Sequence, residues 1–168
     1  TLLLSFDGNV RNLPGIGATA IDDSDIVRFD PATGLFAWYF DGSDVGLTTA
    51  DEDVDAIALL PGGRLLVSTS GKASVPGVVA ADEDILVFDG VLGTDATRGT
   101  WSLYLDGSDI ATTLGDIDGL TWLPGGSAGL GVLVLSADAK VTLGGQTFLS
   151  GDLFACDVAA LGATSRCD

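Results

Sequence analysis

The sequence predicts an all-β protein built from antiparallel four-stranded repeats of propeller-blade type, about two and a half in 168 residues. Three observations carry that expectation. Four sequence motifs recur in the same order along the chain. Glycine is frequent, at 24, Met is absent, and Lys occurs only at Lys72 and Lys140, a composition that suits short strands and tight turns. No stretch carries an apolar period near that of a helix.

Self-comparison defines a repeat of roughly 60 residues, a period characteristic of blade and solenoid arrays. Leu2-Leu3-Leu4-Ser5 aligns with Leu65-Leu66-Val67-Ser68 and with Leu133-Val134-Leu135-Ser136. Asp25-Ile26-Val27-Arg28-Phe29-Asp30 aligns with Asp84-Ile85-Leu86-Val87-Phe88-Asp89, and more loosely with the segment from Asp152 to Asp157. Trp38-Tyr39-Phe40-Asp41-Gly42-Ser43-Asp44 aligns with Leu103-Tyr104-Leu105-Asp106-Gly107-Ser108-Asp109. The run from Asp53 to Gly63 aligns with that from Asp116 to Gly126, both closing on Leu-Pro-Gly-Gly.

Each repeat therefore holds four strands, expected in the complete copy over 54–60, 64–69, 84–89 and 100–106. Pro61-Gly62-Gly63 is a tight link between the first two, since Pro presets φ and Gly accepts the left-handed region. A longer Val-Pro-Gly loop joins the second to the third, and Asp-Gly-Ser-Asp ends the fourth. The expected topology is an antiparallel meander, with Trp101, Leu103 and Leu105 on one side. A single domain over 1–168 then divides into a partial repeat at 1–53, a full repeat at 54–116 and a partial repeat at 117–168. An open β-sandwich or a stacked β-array is the competing architecture.

By this count the chain starts on a second strand and stops just past a third, giving ten strands. A closed propeller takes about four to eight blades, so one chain does not close a ring. Unpaired repeat ends are templates for another chain. Three readings follow: a fragment of a longer repeat protein, a ring assembled from two chains, or head-to-tail completion into a fibre. Completion between chains is preferred.

The aspartates form the second pattern. The formal net charge is -17, yet only Glu52 and Glu83 are glutamates. Such a surface repels nucleic acid and anionic membranes, and no apolar run is long enough for a membrane helix. Asp caps turns through its short side chain, and it supplies hard oxygens to Ca2+. Two clusters recur in each repeat. One holds Asp23 and Asp25, echoed by Asp82 and Asp84. The other holds Asp41, Asp44, Asp53 and Asp55, echoed by Asp106, Asp109, Asp116 and Asp118. These twelve are the candidate calcium ligands. Turn capping without metal is the competing reading, and the spacing matches neither the helical calcium loop nor the Gly-Gly-x-Gly-x-Asp repeat.

Cys156 and Cys167 are the two cysteines, both in the last repeat. Their counterparts in earlier repeats fall near Val27 or Arg28 and Val87 or Phe88. A bridge between them would pin the chain end. With no CxxC and no His, a disulfide is expected rather than a metal or redox pair, which implies an oxidising compartment. No signal peptide is visible, so a secreted protein would be in its mature form.

The absence of His removes Ser-His and Cys-His nucleophile systems. Paired carboxylates remain open by composition, but acids that recur in register with a repeat read as architecture, and the chain is not expected to be an enzyme. Trp38, Tyr39, Trp101, Tyr104 and Trp122 are candidates for a glycan-binding surface. Their strand positions favour core packing instead.

The segments DEDILVFD (82–89), WSLYLDGSDI (101–110), DIDGLTWLPGG (116–126) and LLVSTSG (65–71) resemble Asp-rich repeats of uncharacterised secreted or surface proteins of bacteria. The resemblance spans nearly the whole chain and implies an extracellular or cell-surface setting. It also implies an aromatic fourth strand after Asp157, whereas the sequence stops at Asp168. The expected function is a non-catalytic extracellular structural protein that self-assembles through its incomplete repeats, as a surface layer or filament, with calcium as a brace. A glycan-binding, lectin-like propeller module is the alternative.

Overall fold

The computed structural model describes residues 1–111 and 113–168. In the first sheet, β1 (Leu2–Leu4), β2 (Ile26–Asp30) and β3 (Leu35–Phe40) lie side by side in that order. The next strands are β4 (Val54–Leu59), β5 (Leu65–Thr69), β6 (Ala73–Val75), β7 (Val78–Ala80), β8 (Ile85–Val91) and β9 (Arg98–Leu105). Of these, β4-β5-β8-β9 form the second sheet, and β6 pairs only with β7. A one-turn helix, α1 (Gly107–Ile110), leads to β10 (Gly119–Leu123), β11 (Val132–Ser136), β12 (Val141–Leu143), β13 (Gln146–Phe148), β14 (Phe154–Ala160) and β15 (Arg166–Cys167). Here β10-β11-β14-β15 form the third sheet, and β12-β13 are again a separate hairpin. All ladder pairings are antiparallel. The fold is all-β, in several small sheets that do not close on themselves.

The repeat alignment holds strand by strand, with four adjustments. The loop between second and third strands is itself a hairpin, because Val75 and Val78 flank a two-residue Pro76-Gly77 turn. The third repeat does not stop after its third strand: Val158 pairs with Cys167 and Ala160 with Arg166, forming a short fourth strand. The sheets thus hold three, four and four strands, not ten in all.

The third adjustment concerns Trp101, Leu103 and Leu105, which do not share one face. The register between β8 and β9 slips at Ile85/Leu86, so that Leu103 pairs with Leu86 and Leu105 with Ile85. The extra residue, Tyr104, is a β-bulge that turns the end of the strand over. Trp101 and Leu103 pack toward the first sheet, whereas Tyr104 and Leu105 pack toward the third. Finally, Cys156 lies opposite Leu133 as Phe88 lies opposite Leu65 and Phe29 opposite Leu2. Of the expected counterparts of Cys156, Phe88 therefore holds and Phe29 stands in place of Val27 or Arg28, in line with the alignment of Asp25–Asp30 and Asp84–Asp89 with Asp152–Asp157.

Successive sheets stack face to face. Phe40 of the first sheet meets Phe88 and Trp101 of the second edge-on, with ring centroids 5.3 and 5.9 Å apart. On the other side of the second sheet, Leu66, Val87 and Leu105 join Leu133, Leu135, Phe154 and Cys156 of the third in one cluster. Every residue of β5 is buried, as expected of a strand covered on both faces, and its sequence accordingly runs continuously apolar from Leu65 to Val67.

Candidate functional site

Backbone bonds between repeats bring the aspartates together. Val54 N–H donates to the Asp23 carbonyl, and one repeat later Ile117 N–H donates to that of Asp82 (3.0 and 3.3 Å). Asp41 N–H donates to Thr97 Oγ1, and Asp106 N–H to Ser165 Oγ (2.8 and 2.9 Å). Both hydroxyls belong to buried residues just ahead of the next fourth strand.

The most buried aspartates act on backbone. Asp25 accepts from Asp22 N–H through Oδ2 and from Gly42 N–H through Oδ1 (2.9 and 3.0 Å). Asp84 repeats the arrangement with Ala81 and Gly107 (2.8 and 2.9 Å). Each carboxylate thus clamps the turn before the third strand to the Asp-Gly-Ser-Asp turn after the fourth. Gly42 and Gly107 are required there: a Cβ would run into the Ser24 carbonyl in one case and the Glu83 carbonyl in the other. Asp152 keeps the local half of the clamp, accepting from Leu149 N–H at 2.8 Å. Burial pushes Asp25 up to about 7 against the lowering effect of its two amides, and the same cause raises Asp84.

The remaining sites are dispersed. Asp41 accepts from Ser43 Oγ and Asp44 N–H, and Asp106 from the Ser108 amide and hydroxyl; both are turn caps. Asp44 and Asp109 are exposed in the short helical turns after them. Asp82 accepts from Glu83 N–H, and Asp118 from Ser136 Oγ at 2.6 Å. Asp53 is raised, first by burial and then by Asp23 and Asp7. Among the described residues, no three acidic or cysteine side chains converge in a metal-binding arrangement.

One carboxyl pair stands apart. Asp55 and Asp116 come from successive repeats and interact with each other. Asp55 sits at a β-bulge, where the pairing of β4 with β5 slips between Val54 and Ala56. Among the described residues, Asp55 Oδ1 and Asp116 Oδ1 are the buried side-chain oxygens left without a hydrogen-bond partner. Burial and then the Asp116 charge push Asp55 up to about 8, so at neutral pH it holds a proton that it can share with Asp116. Asp116 is raised by burial and by Asp138, Asp82 and Asp118. The pair adjoins an open groove of about 300 Å³ between Leu3–Ser5, Asp55–Ile57 and Asp118–Leu120.

Glu52 is a buried acid outside the twelve candidate ligands. It is 2% exposed and accepts from Thr48, Thr49 and Ser74 N–H at 2.7 to 2.9 Å. Burial alone would raise it; the three amides and the Thr49 hydroxyl outweigh burial and hold it below the usual carboxylate range. The signal was present, since Thr49-Ala50-Asp51-Glu52 is a capping-box sequence.

Of the five candidate aromatics, three are tied to backbone carbonyls. Trp101 Nε1–H donates to the Val45 carbonyl, while Tyr104 O–H and Trp122 Nε1–H both donate to that of Leu130. Trp38 and Tyr39 are half-buried. Cys156 and Cys167 form a disulfide between adjacent strands, with Cα atoms 5.0 Å apart. A second cavity, of about 330 Å³, lies beside it, lined by Asp109, Leu143, Phe148 and Arg166. The site as a whole defines a repeat protein whose acids organise turns. The chain matches no family model, no curated protein and no solved structure.

Proposed function

We propose that the chain is a non-catalytic structural module that works by stacking β-repeats into a larger extracellular assembly, such as a surface layer or filament. One observation carries the reading: the same sheet-on-sheet contact is built twice within the chain from repeat-equivalent residues. The first sheet packs Ile26 and Phe40 onto the second, and the second packs Ile85 and Leu105 onto the third. A contact that recurs on a rigid unit propagates when the outer faces meet copies of themselves. The disulfide favours an oxidising, extracytoplasmic setting, and among the described residues no helix is long and apolar enough to cross a membrane.

The clamps at Asp25 and Asp84 support an architectural role for the acids, since their carboxylates already serve backbone amides in both repeats. A calcium brace would add to that role at the loop aspartates. A glycan-binding surface has less support, because the indole and phenol donors of Trp101, Tyr104 and Trp122 are bonded to backbone carbonyls. Negative-stain microscopy with light scattering tests the proposal. Filaments, sheets or rings of the native protein are expected; a monomer at every concentration overturns it.

A further inference from the structure

Five aspartates are followed directly by glycine: Asp7, Asp41, Asp89, Asp106 and Asp118. An Asp-Gly bond can rearrange by itself, because glycine has no Cβ to shield its nitrogen from the neighbouring carboxyl. The nitrogen bonds to Cγ of the aspartate, the carboxyl C–OH bond breaks, and the amide proton leaves with that hydroxyl as water. The five-membered succinimide then takes up water again. Addition at Cγ restores aspartate. Addition at the main-chain carbonyl gives isoaspartate, whose backbone runs through Cβ and Cγ. No oxidant or cofactor takes part.

Four of these bonds are held in place. Gly42 and Gly107 donate their N–H to the buried Asp25 and Asp84 carboxylates (3.0 and 2.9 Å). Asp106 is fixed at ψ 108°, which turns the Gly107 nitrogen away from its side chain, and its carboxylate is held by the Ser108 amide and hydroxyl. Asp89 and Gly90 lie inside β8, opposite Thr100 and Gly99. Gly119 opens β10 opposite Ser136, whose hydroxyl donates to Asp118. A Cβ at any of these four glycines would run into a neighbour: the Ser24, Arg98 or Glu83 carbonyl, or the Ser136 hydroxyl. Gly8 differs. Asp7 is exposed in the loop after β1, and a Cβ on Gly8 would meet nothing within 4 Å. The Gly8 N–H donates to the Phe6 carbonyl two residues back (2.9 Å), a bond within one turn.

We propose that Asp7 is a self-modification site, converting to isoaspartate through a succinimide with Gly8, and that the Asp25 and Asp84 clamps withhold Asp41 and Asp106 from the same reaction. Ring closure needs the aspartate ψ to swing round and the glycine amide to give up its proton. At Asp7 one local turn has to open. At Asp41 and Asp106 a hydrogen bond between distant segments must break first, and a packed glycine must move against a carbonyl. Each clamp thus has a second use besides joining two turns: it preserves the covalent chain at an Asp-Gly bond. Isoaspartate at residue 7 lengthens the backbone and moves the Asp7 carboxylate, whose charge acts on Asp53. The modification therefore alters the charge pattern where the first repeat meets the second.

Incubation of the native protein at neutral pH in heavy-oxygen water, followed by peptide mapping with electron-transfer fragmentation, tests this chemistry. Labelled isoaspartate should build up first at Asp7. At Asp41 and Asp106 it should form at least roughly tenfold more slowly, since the clamp must open before the ring closes. In urea the five sites should react at similar rates. Asp84→Ala should speed the reaction at Asp106 and leave Asp41 unchanged, and Asp25→Ala should do the reverse, with circular dichroism to check that each variant is folded. A clamp variant that unfolds would raise all five sites together, and the ranking in native wild-type protein then decides. Equal native rates at Asp7 and Asp106 overturn the proposal. A folded Asp84→Ala with no change at Asp106 overturns the protective role of the clamp.

Discussion

The ring of Phe88 lies directly over Gly99: a Cβ on Gly99 would sit 2.6 Å from its Cζ. One repeat later the same two positions are Cys156 and Cys167, joined covalently. An aromatic ring on a glycine and a disulfide are thus alternative ways to tie a third strand to a fourth in this repeat.

That equivalence predicts an exchange. Replacing Cys156 and Cys167 by Ala should cost about 2–3 kcal/mol of unfolding free energy, the loop-closure value for so short a span. The double substitution Phe88→Cys with Gly99→Cys should form a second bridge, read as a mass change on reduction. Gly99→Ala alone should destabilise by about 1–3 kcal/mol through overpacking against the ring. Urea titrations measure each. A thiol pair that stays free at 88 and 99 would show that the two positions are not equivalent.

The aspartate clamp makes a sharper demand. Asp84→Ala strands the amides of Ala81 and Gly107 and should cost about 2–4 kcal/mol. Asp152→Ala removes one local bond and should cost about 1 kcal/mol. Equal losses at the two positions would mean that the long-range arm to Gly107 contributes nothing.

The Asp55–Asp116 pair sets a pH dependence. The folded pKa of Asp55 is pushed up to about 8 from an ordinary value of 3.8. The native state therefore binds more protons than the unfolded state between these values, and stability falls as pH rises across that window. Below about pH 4 the group contributes no penalty. Asp55→Asn removes the titration, so its advantage over wild-type should be small at pH 4 and reach about 1–3 kcal/mol at pH 8, after allowance for partial solvent screening. Thermal melts of the two proteins across this range give the comparison; a constant difference would place the titration elsewhere.

Calcium has its own measurement. The buried carboxylates Asp25 and Asp84 are satisfied by amides, so a chelator should leave the melting temperature of the folded unit unchanged. A fall of several degrees, reversed by added calcium and not by magnesium, would establish the brace.

Much of this fold is legible from residues alone. The recurring Leu-Leu-Val-Ser and Asp-Ile-Leu-Val-Phe-Asp segments place β5 and β8, and Pro61-Gly62-Gly63 places the turn between β4 and β5, because strand alternation and turn chemistry are local. The disulfide is legible as well, since two cysteines without His leave little other chemistry. Other features depend on what lies opposite. The face taken by Leu105 is decided by a bulge at Tyr104, which arises from the pairing of β9 with Ile85 and Leu86 in the preceding strand of the sheet. Aspartate is ambiguous by nature: the same side chain caps a turn, binds a cation or shares a proton. Asp84 became a clamp because Gly107 brings its amide within 2.9 Å, and Asp55 became half of a carboxyl pair because the next repeat stacks Asp116 beside it. Local pattern thus determined the strands and the repeat, while only tertiary stacking decided what each acid does, because burial and partner are set by chain segments distant in sequence.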